Sequence, residues 1–247
     1  MLARPERFFE DRFGLTPSAM ERLLGSALAG RVDHADLYLE YRVSEDLSLE
    51  EGAVKRASRH VSQGAGVRAQ SGERTGYAHT DDLSLPNLED AARQARAIAD
   101  QASASGVVAV NSPGVPHDLY RLAEPPLAAD LDRKVKLLGS ADALARSLDP
   151  RVRQVFATLG SEDTVVLIAT PSGWTVGDVR PLTRLNVTVI VEDGGKREIG
   201  SYGGGGRVPL DFFFEEDRWR RYVSEAVRQA VVKLGAVDAP AGFLTVV

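Results

Sequence analysis

The sequence predicts an α+β fold of two lobes, each a mostly antiparallel sheet packed with helices. Stretches of alternating apolar and polar residues recur between glycine-rich turn signals, which is typical of hairpin-linked strands. Amphipathic helical stretches flank these strand regions in both halves of the chain. Proline, glycine and serine are dense over residues 106–128, which indicates a linker. The first lobe is therefore assigned to residues 1–105 and the second to residues 129–239.

The first lobe should open with a helix after Thr16-Pro17, because threonine caps helix starts and proline suits the first helical position. A second helix should begin at Ser84 and run to about Ala102, with leucine and alanine on its buried side. Between them the pattern predicts one strand over residues 34–43, then two or three short strands over residues 46–69 and another over residues 75–79. The expected turns within that stretch are Glu51-Gly52, Gln63-Gly64 and Ser71-Gly72.

The second lobe should begin and end with helices, over about residues 129–148 and 215–234, which carry apolar residues at helical spacing. Ser161-Glu162-Asp163 is interpreted as a turn, because three polar residues interrupt the strand alternation. The strands predicted between the two helices cover residues 151–160, 164–170, 173–179, 182–192 and 196–202.

Composition is that of an ordinary globular chain. Hydrophobic residues make up 43% and charged residues 26% of the 247 residues, close to the average for globular domains. The net charge of −5, with both signs interspersed, does not favour nucleic acid or an anionic membrane as partner. With no cysteine there is no disulfide framework, and neither a signal peptide nor a membrane-spanning run is recognisable. The cytoplasm is the expected compartment.

Four consecutive glycines, Gly203 to Gly206, follow a predicted hairpin that turns at Asp193-Gly194. Each glycine in an ordered strand costs roughly 0.5–1 kcal/mol relative to alanine. The tract is therefore either a mobile loop or a segment that another backbone approaches closely, and the loop is the favoured interpretation.

Spacing alone predicts no catalytic, cofactor-binding or metal-binding residues. None of the four histidines has a metal-ligand spacing with another histidine. Gly64-Ala-Gly66 lacks the third glycine and the strand-to-helix setting of a dinucleotide-binding loop. Gly203 to Gly206 are not followed by the lysine and serine or threonine of a Walker loop. No set of nucleophile, base and orienting residue can be argued from the sequence.

Three blocks, in order, carry a family resemblance. The most specific runs from Arg180 to Arg207 and includes Arg-Leu-Asn-Val and the four glycines; the others lie within residues 47–77 and 225–242. From about His34 to Val247 the chain resembles the TldD branch of the TldD/PmbA metallopeptidases. The resemblance implies an intact enzyme that hydrolyses unfolded or short peptides at a zinc site and pairs with a PmbA/TldE subunit.

The family's metal motif resembles His-Glu-x-x-x-His followed much later by a cysteine, and this sequence contains neither. The chain is therefore expected to be the amino-terminal, non-catalytic part of such an enzyme, without a cofactor of its own. Residues 240–247 end in the apolar stretch Phe243 to Val247, which is interpreted as the severed start of a third, catalytic domain.

Three functions remain open. The chain could wall the substrate channel of a TldD-like peptidase and hold its partner, capture extended peptides as a stand-alone module, or act as a structural pairing subunit. In the first case a peptide backbone would run beside the glycines, and Arg184 and Arg207 could hold its carboxylate by a bidentate contact, although surface solvation is the favoured interpretation of each arginine. The candidate channel residues are Arg184, Gly203, Gly204, Gly205, Gly206 and Arg207.

Overall fold

A single antiparallel sheet of six strands runs through both halves of the chain. The computed structural model in which it is seen describes residues 4–100, 120, 122, 124–173, 175–237 and 242–243. In chain order the strands are β1 (His34–Glu50), β2 (Ala53–Ser71), β3 (Arg74–Thr80), β4 (Val152–Ala169), β5 (Thr175–Asp193) and β6 (Lys196–Gly206). They lie side by side in the order β3-β2-β1-β4-β5-β6, and each neighbouring pair is antiparallel. The predicted α+β class is confirmed.

Five α-helices lie in the described part of the chain. They are α1 (Pro5–Phe13), α2 (Pro17–Leu28), α3 (Leu85–Ala99), α4 (Leu131–Leu148) and α5 (Arg218–Leu234), and short 3-10 turns cover Pro126–Ala128, Leu210–Phe213 and Glu215–Asp217. The Thr16 side chain accepts a hydrogen bond from the backbone N–H of Ala19 at 3.3 Å, so the predicted cap is present. The helix α1 was not foreseen from the sequence.

The two halves repeat one arrangement, in which a helix is followed by three strands and another helix. In the first half these are α2, β1, β2, β3 and α3; in the second they are α4, β4, β5, β6 and α5. The halves meet where β1 pairs with β4, so the strand order reads outward from that pair in the same way on both sides.

Each half packs its last helix onto a glycine of its edge strand. A side chain at Gly76 of β3 would overlap the α3 backbone at Ala95, and one at Gly200 of β6 would overlap the α5 backbone at Ala226. Glycine is required at both positions because a helix backbone comes this close to the sheet.

Two hydrophobic cores lie on the same face of this sheet. The first contains Leu37 and Leu39 of β1 with residues of α1, α2 and α3, and the second joins β4 and β5 to α4 and α5. Because β1 and β4 are antiparallel, the carboxyl-terminal end of each strand reaches the core of the other half. Leu47 and Leu49 of β1 enter the second core, while Val165, Leu167 and Ala169 of β4 enter the first.

Both cores are thus built on one sheet, and the lobe boundaries 1–105 and 129–239 stay predictions. Most of the linker assigned to residues 106–128 lies outside the described residues. So does the stretch 240–247, interpreted as a severed domain start, apart from Gly242 and Phe243.

Several strands are longer than predicted. The turn expected at Ser161-Glu162-Asp163 is wrong, because all three residues lie within β4 and pair with both β1 and β5. The break expected before residue 182 is also wrong, and Pro181 lies within β5. A proline is tolerated there because β6 ends opposite Thr183, so position 181 lies beyond the pairing with β6. The turn expected at Gln63-Gly64 is likewise part of a strand, β2.

The loop interpretation of the glycine tract is wrong. Gly203 to Gly206 form the last four residues of β6 and pair with Asn186 to Thr183 of β5. Side chains at Gly203 and Gly205 would overlap the β5 backbone, and one at Gly204 would overlap the Tyr222 hydroxyl of α5. The closely approaching backbone is therefore the neighbouring strand of the same sheet.

The contact of α5 with Gly200 predicts the effect of Gly200→Ala. The added methyl group would overlap the helix backbone, and such overpacking typically costs about 1–3 kcal/mol of unfolding free energy. Gly206→Ala is the matched control, because no heavy atom lies within 4 Å of its added carbon, and no loss is expected. Urea unfolding of both variants measures the difference, and equal stability would contradict the proposed close packing.

Candidate functional site

The face of the sheet opposite the two cores carries a polar cavity. All five α-helices of the described residues contribute to the cores, so this second face is free of them. The cavity has a volume of about 170 Å³ and opens where β6 ends beside β5. Its lining residues are Glu40, Arg42, Glu162, Thr164, Arg180, Pro181, Leu182 and Arg207.

Arg42 holds the two glutamates of the cavity. Its guanidinium lies 3.0 Å from the Glu40 carboxylate and 3.6 Å from that of Glu162. The Thr164 hydroxyl also donates to Glu162, at 3.1 Å. The residues come together because Arg42 lies opposite Thr164 in the β1–β4 register, with Glu40 and Glu162 two residues away on the same face. Both carboxylates are thus already engaged.

A tyrosine and a second arginine extend this network. The Tyr38 hydroxyl donates to Glu40 at 2.6 Å, and burial together with this hydrogen bond raises the pKa of Tyr38 to about 12. Tyr38 therefore stays protonated at neutral pH. The Arg180 guanidinium lies 2.7 Å from Asp178, and this hydrogen bond raises the pKa of Arg180.

Arg207 differs from the other arginines of the cavity. It is exposed and stacks over the Tyr120 ring, with the guanidinium carbon 4.4 Å from the ring centroid. Within the described residues it forms no ion pair, whereas Arg42 and Arg180 do. Among the described residues of the cavity, Arg207 is therefore an arginine without an ion-pair partner, and a guanidinium of this kind can bind an anionic group such as a carboxylate.

The other predicted channel residues lie beside the cavity. The Arg184 guanidinium donates to the Asn186 side chain at 3.0 Å, and Arg184 does not line the cavity. Gly203 and Gly205 lie opposite Asn186 and Arg184 in the β5–β6 register, and β6 is an edge strand. The structure thus brings Arg207 to the cavity and places the glycines along the adjoining edge.

On the core side of the sheet, a row of polar residues separates the two cores. Lys134 of α4 is 1% exposed, and its ammonium lies 2.6 Å from the Glu45 carboxylate. Next to this pair, Ser161 and Asp163 of β4 are buried. A buried pair of this kind is costly to break, because the remaining charge would be left without a partner.

Asp163 is the least satisfied member of this row. Its side chain is buried, and the Oδ1 atom has no hydrogen-bond partner among the described residues. Burial raises the pKa of Asp163 to about 6, despite the nearby charges of Lys134 and Arg59. A buried group with a perturbed pKa that reduces stability is a functional candidate.

The described residues do not fit a zinc site. No group of three or more histidine, cysteine, aspartate or glutamate side chains is placed to hold a metal in this part of the chain. His34 lies 3.6 Å from Asp36, but a tight zinc site needs three or four close ligands. No helix of the described ranges is long and apolar enough to cross a membrane.

Sequence reasoning missed most of the cavity. Tyr38, Glu40 and Arg42 alternate with apolar residues of β1, and this alternation was a usable signal for a polar strand face. Glu162 and Asp163 could not be placed once they had been assigned to a turn.

The raised pKa of Asp163 predicts a pH-dependent gain from Asp163→Asn. The pKa of Asp163 in the folded state lies above the usual 3.8, so the folded state loses stability relative to the unfolded state as pH rises from about 4 to 6. Above about pH 6 the whole loss of stability is present. At about 1.4 kcal/mol per pKa unit this loss is about 3 kcal/mol. We expect the variant to be more stable by up to that amount at pH 8, with the difference shrinking towards pH 4.

The control is Asp149→Asn, because a hydrogen bond from Arg151 lowers the pKa of Asp149 to about 2. This carboxylate stabilises the fold above about pH 4, so its loss should destabilise at pH 8. Urea unfolding at both pH values gives the comparison. A pH-independent effect of Asp163→Asn would contradict the burial argument.

Comparison with known families identifies two domains. Residues 35–99 match the PmbA/TldA metallopeptidase domain 1, and residues 124–234 match the PmbA/TldA metallopeptidase central domain. A protein named Metalloprotease TldD homolog from Haemophilus influenzae is 41% identical over 222 residues, which is 87% of this chain and 46% of that protein. Its namesake from Buchnera aphidicola subsp. Schizaphis graminum is 35% identical, with the same coverage. The chain therefore spans about half the length of these relatives.

Solved structures share the fold at lower identity. A proposed modulator of DNA gyrase from Bacteroides thetaiotaomicron has a TM-score of 0.71 and 15% identity, with 90% of this chain and 51% of that chain covered. TldE from Thermococcus kodakarensis has a TM-score of 0.65 and 21% identity, with 86% and 47% covered. With two domain matches and the TldD relatives in agreement, the chain belongs to the PmbA/TldD metallopeptidase family and carries its first and central domains.

Proposed function

We propose that this chain is the amino-terminal, non-catalytic portion of a TldD-like metallopeptidase and that it forms a wall of the substrate channel. The family membership supports a role in proteolysis, and the domains matched are the first and central ones. The observation that carries the channel role is the cavity at the end of the edge strand β6, where Arg207 has no ion-pair partner among the described residues.

In this proposal an extended peptide adds to β6, which is an edge strand of the sheet that the described residues form, and its terminal carboxylate binds Arg207. Strand addition uses backbone hydrogen bonds and therefore accepts many sequences, as expected for unfolded or short peptides. Glycines leave the β6 edge without side chains that would hinder the approach, although Gly203 and Gly205 are also required by the close β5 backbone. Only at Gly206 does the structure leave room for a side chain within the tract.

The remaining cavity residues would orient the bound end. Arg42 already holds Glu40 and Glu162, so these carboxylates are not free to attract a peptide amino group. Arg180 is engaged by Asp178 and contributes positive potential beside Arg207. Arg207, which forms no ion pair within the described residues, is the group proposed to bind the peptide carboxylate.

Hydrolysis in the intact protein is assigned to residues other than those described, since these offer no cluster for the zinc that the family implies. Pairing with a PmbA/TldE-like subunit, as a heterodimer, belongs to the same proposal. The TldE fold similarity is consistent with related subunits. The cytoplasm remains the proposed compartment.

The alternative is a stand-alone peptide-binding or structural pairing module without hydrolytic activity. The engaged network of Arg42, Glu40 and Glu162 is compatible with it, because nothing in that network requires catalysis. Peptide cleavage by the protein together with a PmbA/TldE-like subunit and zinc would separate the two functions.

Arg207→Gln should weaken the binding of peptides that have a free terminal carboxylate and should leave the binding of amidated peptides unchanged. Hydrogen bonds to charged groups are worth about 1.5–3 kcal/mol, so we expect about a tenfold or larger loss for a short peptide with a free carboxyl end. The same peptide with an amidated end should bind the variant and the unchanged chain alike. Fluorescence anisotropy with both peptides forms a double-mutant cycle.

Two matched variants sharpen this test. Arg197 lies on β6, the strand that Arg207 follows, but it does not line the cavity, so Arg197→Gln should have no effect. Arg184→Gln tests the second arginine suggested by the sequence. If amidation weakens binding equally with and without Arg207, the carboxylate is held elsewhere.

Zinc titration tests the assignment of the metal chemistry to other residues. Since the chain has no cysteine and the described residues offer no ligand cluster, calorimetry should detect no stoichiometric zinc site. A 1:1 site of submicromolar affinity would place a metal centre within this chain and overturn that assignment.

A further inference from the structure

The strand β2 extends well beyond its neighbour β3. It pairs with β1 along its length, whereas β3 pairs only with Ala65 to Ser71. From Ala53 to Gly64 its outer edge therefore faces no other strand of the described residues. A bulge at Lys55 interrupts the pairing with β1, so the regular part of this free edge runs from Arg56 to Gly64. We call this segment the basic edge.

The basic edge is also uncovered on the core side of the sheet. Val61 is 56% exposed, although its partner on β1, Val43, packs against the first core. Ala57 is exposed, although its partner Leu47 is buried in the second core. The helix layer thus ends before it reaches this part of β2, which leaves room for an additional strand.

The corresponding overhang in the second half of the molecule is protected. There β5 extends beyond β6 over residues 175–182, and Pro181 lies in that stretch without an N–H to donate. The helix α1 also packs there, since a side chain at Gly177 would overlap Pro5. The basic edge has no proline, and in the described residues no helix packs against its exposed valine.

Charge indicates the kind of strand that fits. From Ala53 to Gly64 the sequence contains Lys55, Arg56, Arg59 and His60 but no aspartate or glutamate. Neither Arg56 nor Arg59 forms an ion pair within the described residues, although Arg59 lies near enough to influence Asp163. Like charges oppose pairing with a second copy of the same edge, while they attract an acidic strand.

We propose that the basic edge binds an extended acidic segment of another polypeptide by strand addition. Backbone hydrogen bonds along β2 supply the pairing, and carboxylates on the added strand face Arg56 and His60 on one side of the sheet and Arg59 on the other. This surface is distinct from the edge of β6, which is the opposite edge of the sheet. The cavity lies between the two edges, since its lining residues Glu40 and Arg42 pair with Gly64 and Ser62 of the basic edge.

The test uses fluorescently labelled nine-residue peptides, capped at both ends, on the 247-residue chain. The first alternates glutamate and threonine, the second has lysine in place of glutamate, and the third is the first with every backbone amide methylated. We expect anisotropy to show binding of the first peptide only, weakened by salt. Hydrogen exchange should slow along Arg56 to Gly64 when it binds.

The double variant Arg56→Glu with Arg59→Glu should weaken this binding by about tenfold or more, because like charges would then face each other. The control double variant, Lys136→Glu with Lys196→Glu, changes the net charge equally at exposed positions elsewhere and should stay within about twofold. If the variant with both glutamates fails to fold, the double variant Arg56→Gln with Arg59→Gln replaces it in the same binding measurement.

Three results would each overturn the proposal. Equal binding of the methylated peptide would mean that charge alone captures the ligand, and equal loss in the control would mean that the site is not local. Tighter binding of a single-stranded oligonucleotide, with the same exchange footprint, would make the edge a nucleic-acid site.

Discussion

The antiparallel pairing of β1 with β4 is the constraint on which the rest of the structure depends. It joins Leu37–Glu50 to Phe156–Ala169 and so links the two repeated halves through backbone hydrogen bonds. Because the strands run in opposite directions, the end of each one enters the core of the other half. Neither core is complete without residues from both halves, and this explains why one sheet serves two lobes.

The same pairing brings the polar residues of the molecule together. Where β1 passes from one core to the other, Glu45 replaces an apolar residue and receives the buried Lys134. On β4 the crossing falls at Ser161 to Asp163, and alternation sends neighbours to opposite faces. Glu162 lines the open cavity while Asp163 lies between the cores, and the charge of Glu162 helps to raise the pKa of Asp163. The cavity and the buried row are therefore electrostatically linked through one dipeptide.

Local signals made the fold class and four of the five α-helices of the described residues predictable, α1 being the exception. Thr16-Pro17 and Ser84 begin helices where the sequence indicated, and the apolar stripe after Arg218 is buried as expected. Helix starts depend on residues close in sequence, so a single chain carries enough information to find them.

The strand lengths were harder to predict because they depend on distant partners. Ser161 to Asp163 resemble a turn in sequence because β4 passes between the two cores there and loses its apolar alternation. Pro181 resembles a strand end, but β5 can contain it because β6 stops before that position. Gly203 to Gly206 look like a loop because nothing local reveals how close β5 comes. Most lining residues of the cavity lie on these strands, so the sequence did not predict the cavity. Arg207 was the one lining residue among the predicted candidates, and it had been chosen as a possible carboxylate ligand near a strand end.

The strand order, which reads outward in the same way from β1 and β4, gives the chain the geometry of a two-fold symmetric dimer joined into one polypeptide. An isologous contact pairs a patch with its own copy in the opposite direction, and the antiparallel β1–β4 contact has that form. Once two such units are covalently joined, their outer edges need no longer stay alike. One edge here carries a glycine tract that leads to Arg207, and the other carries a basic overhang, so a single chain presents two different edges from one repeated arrangement.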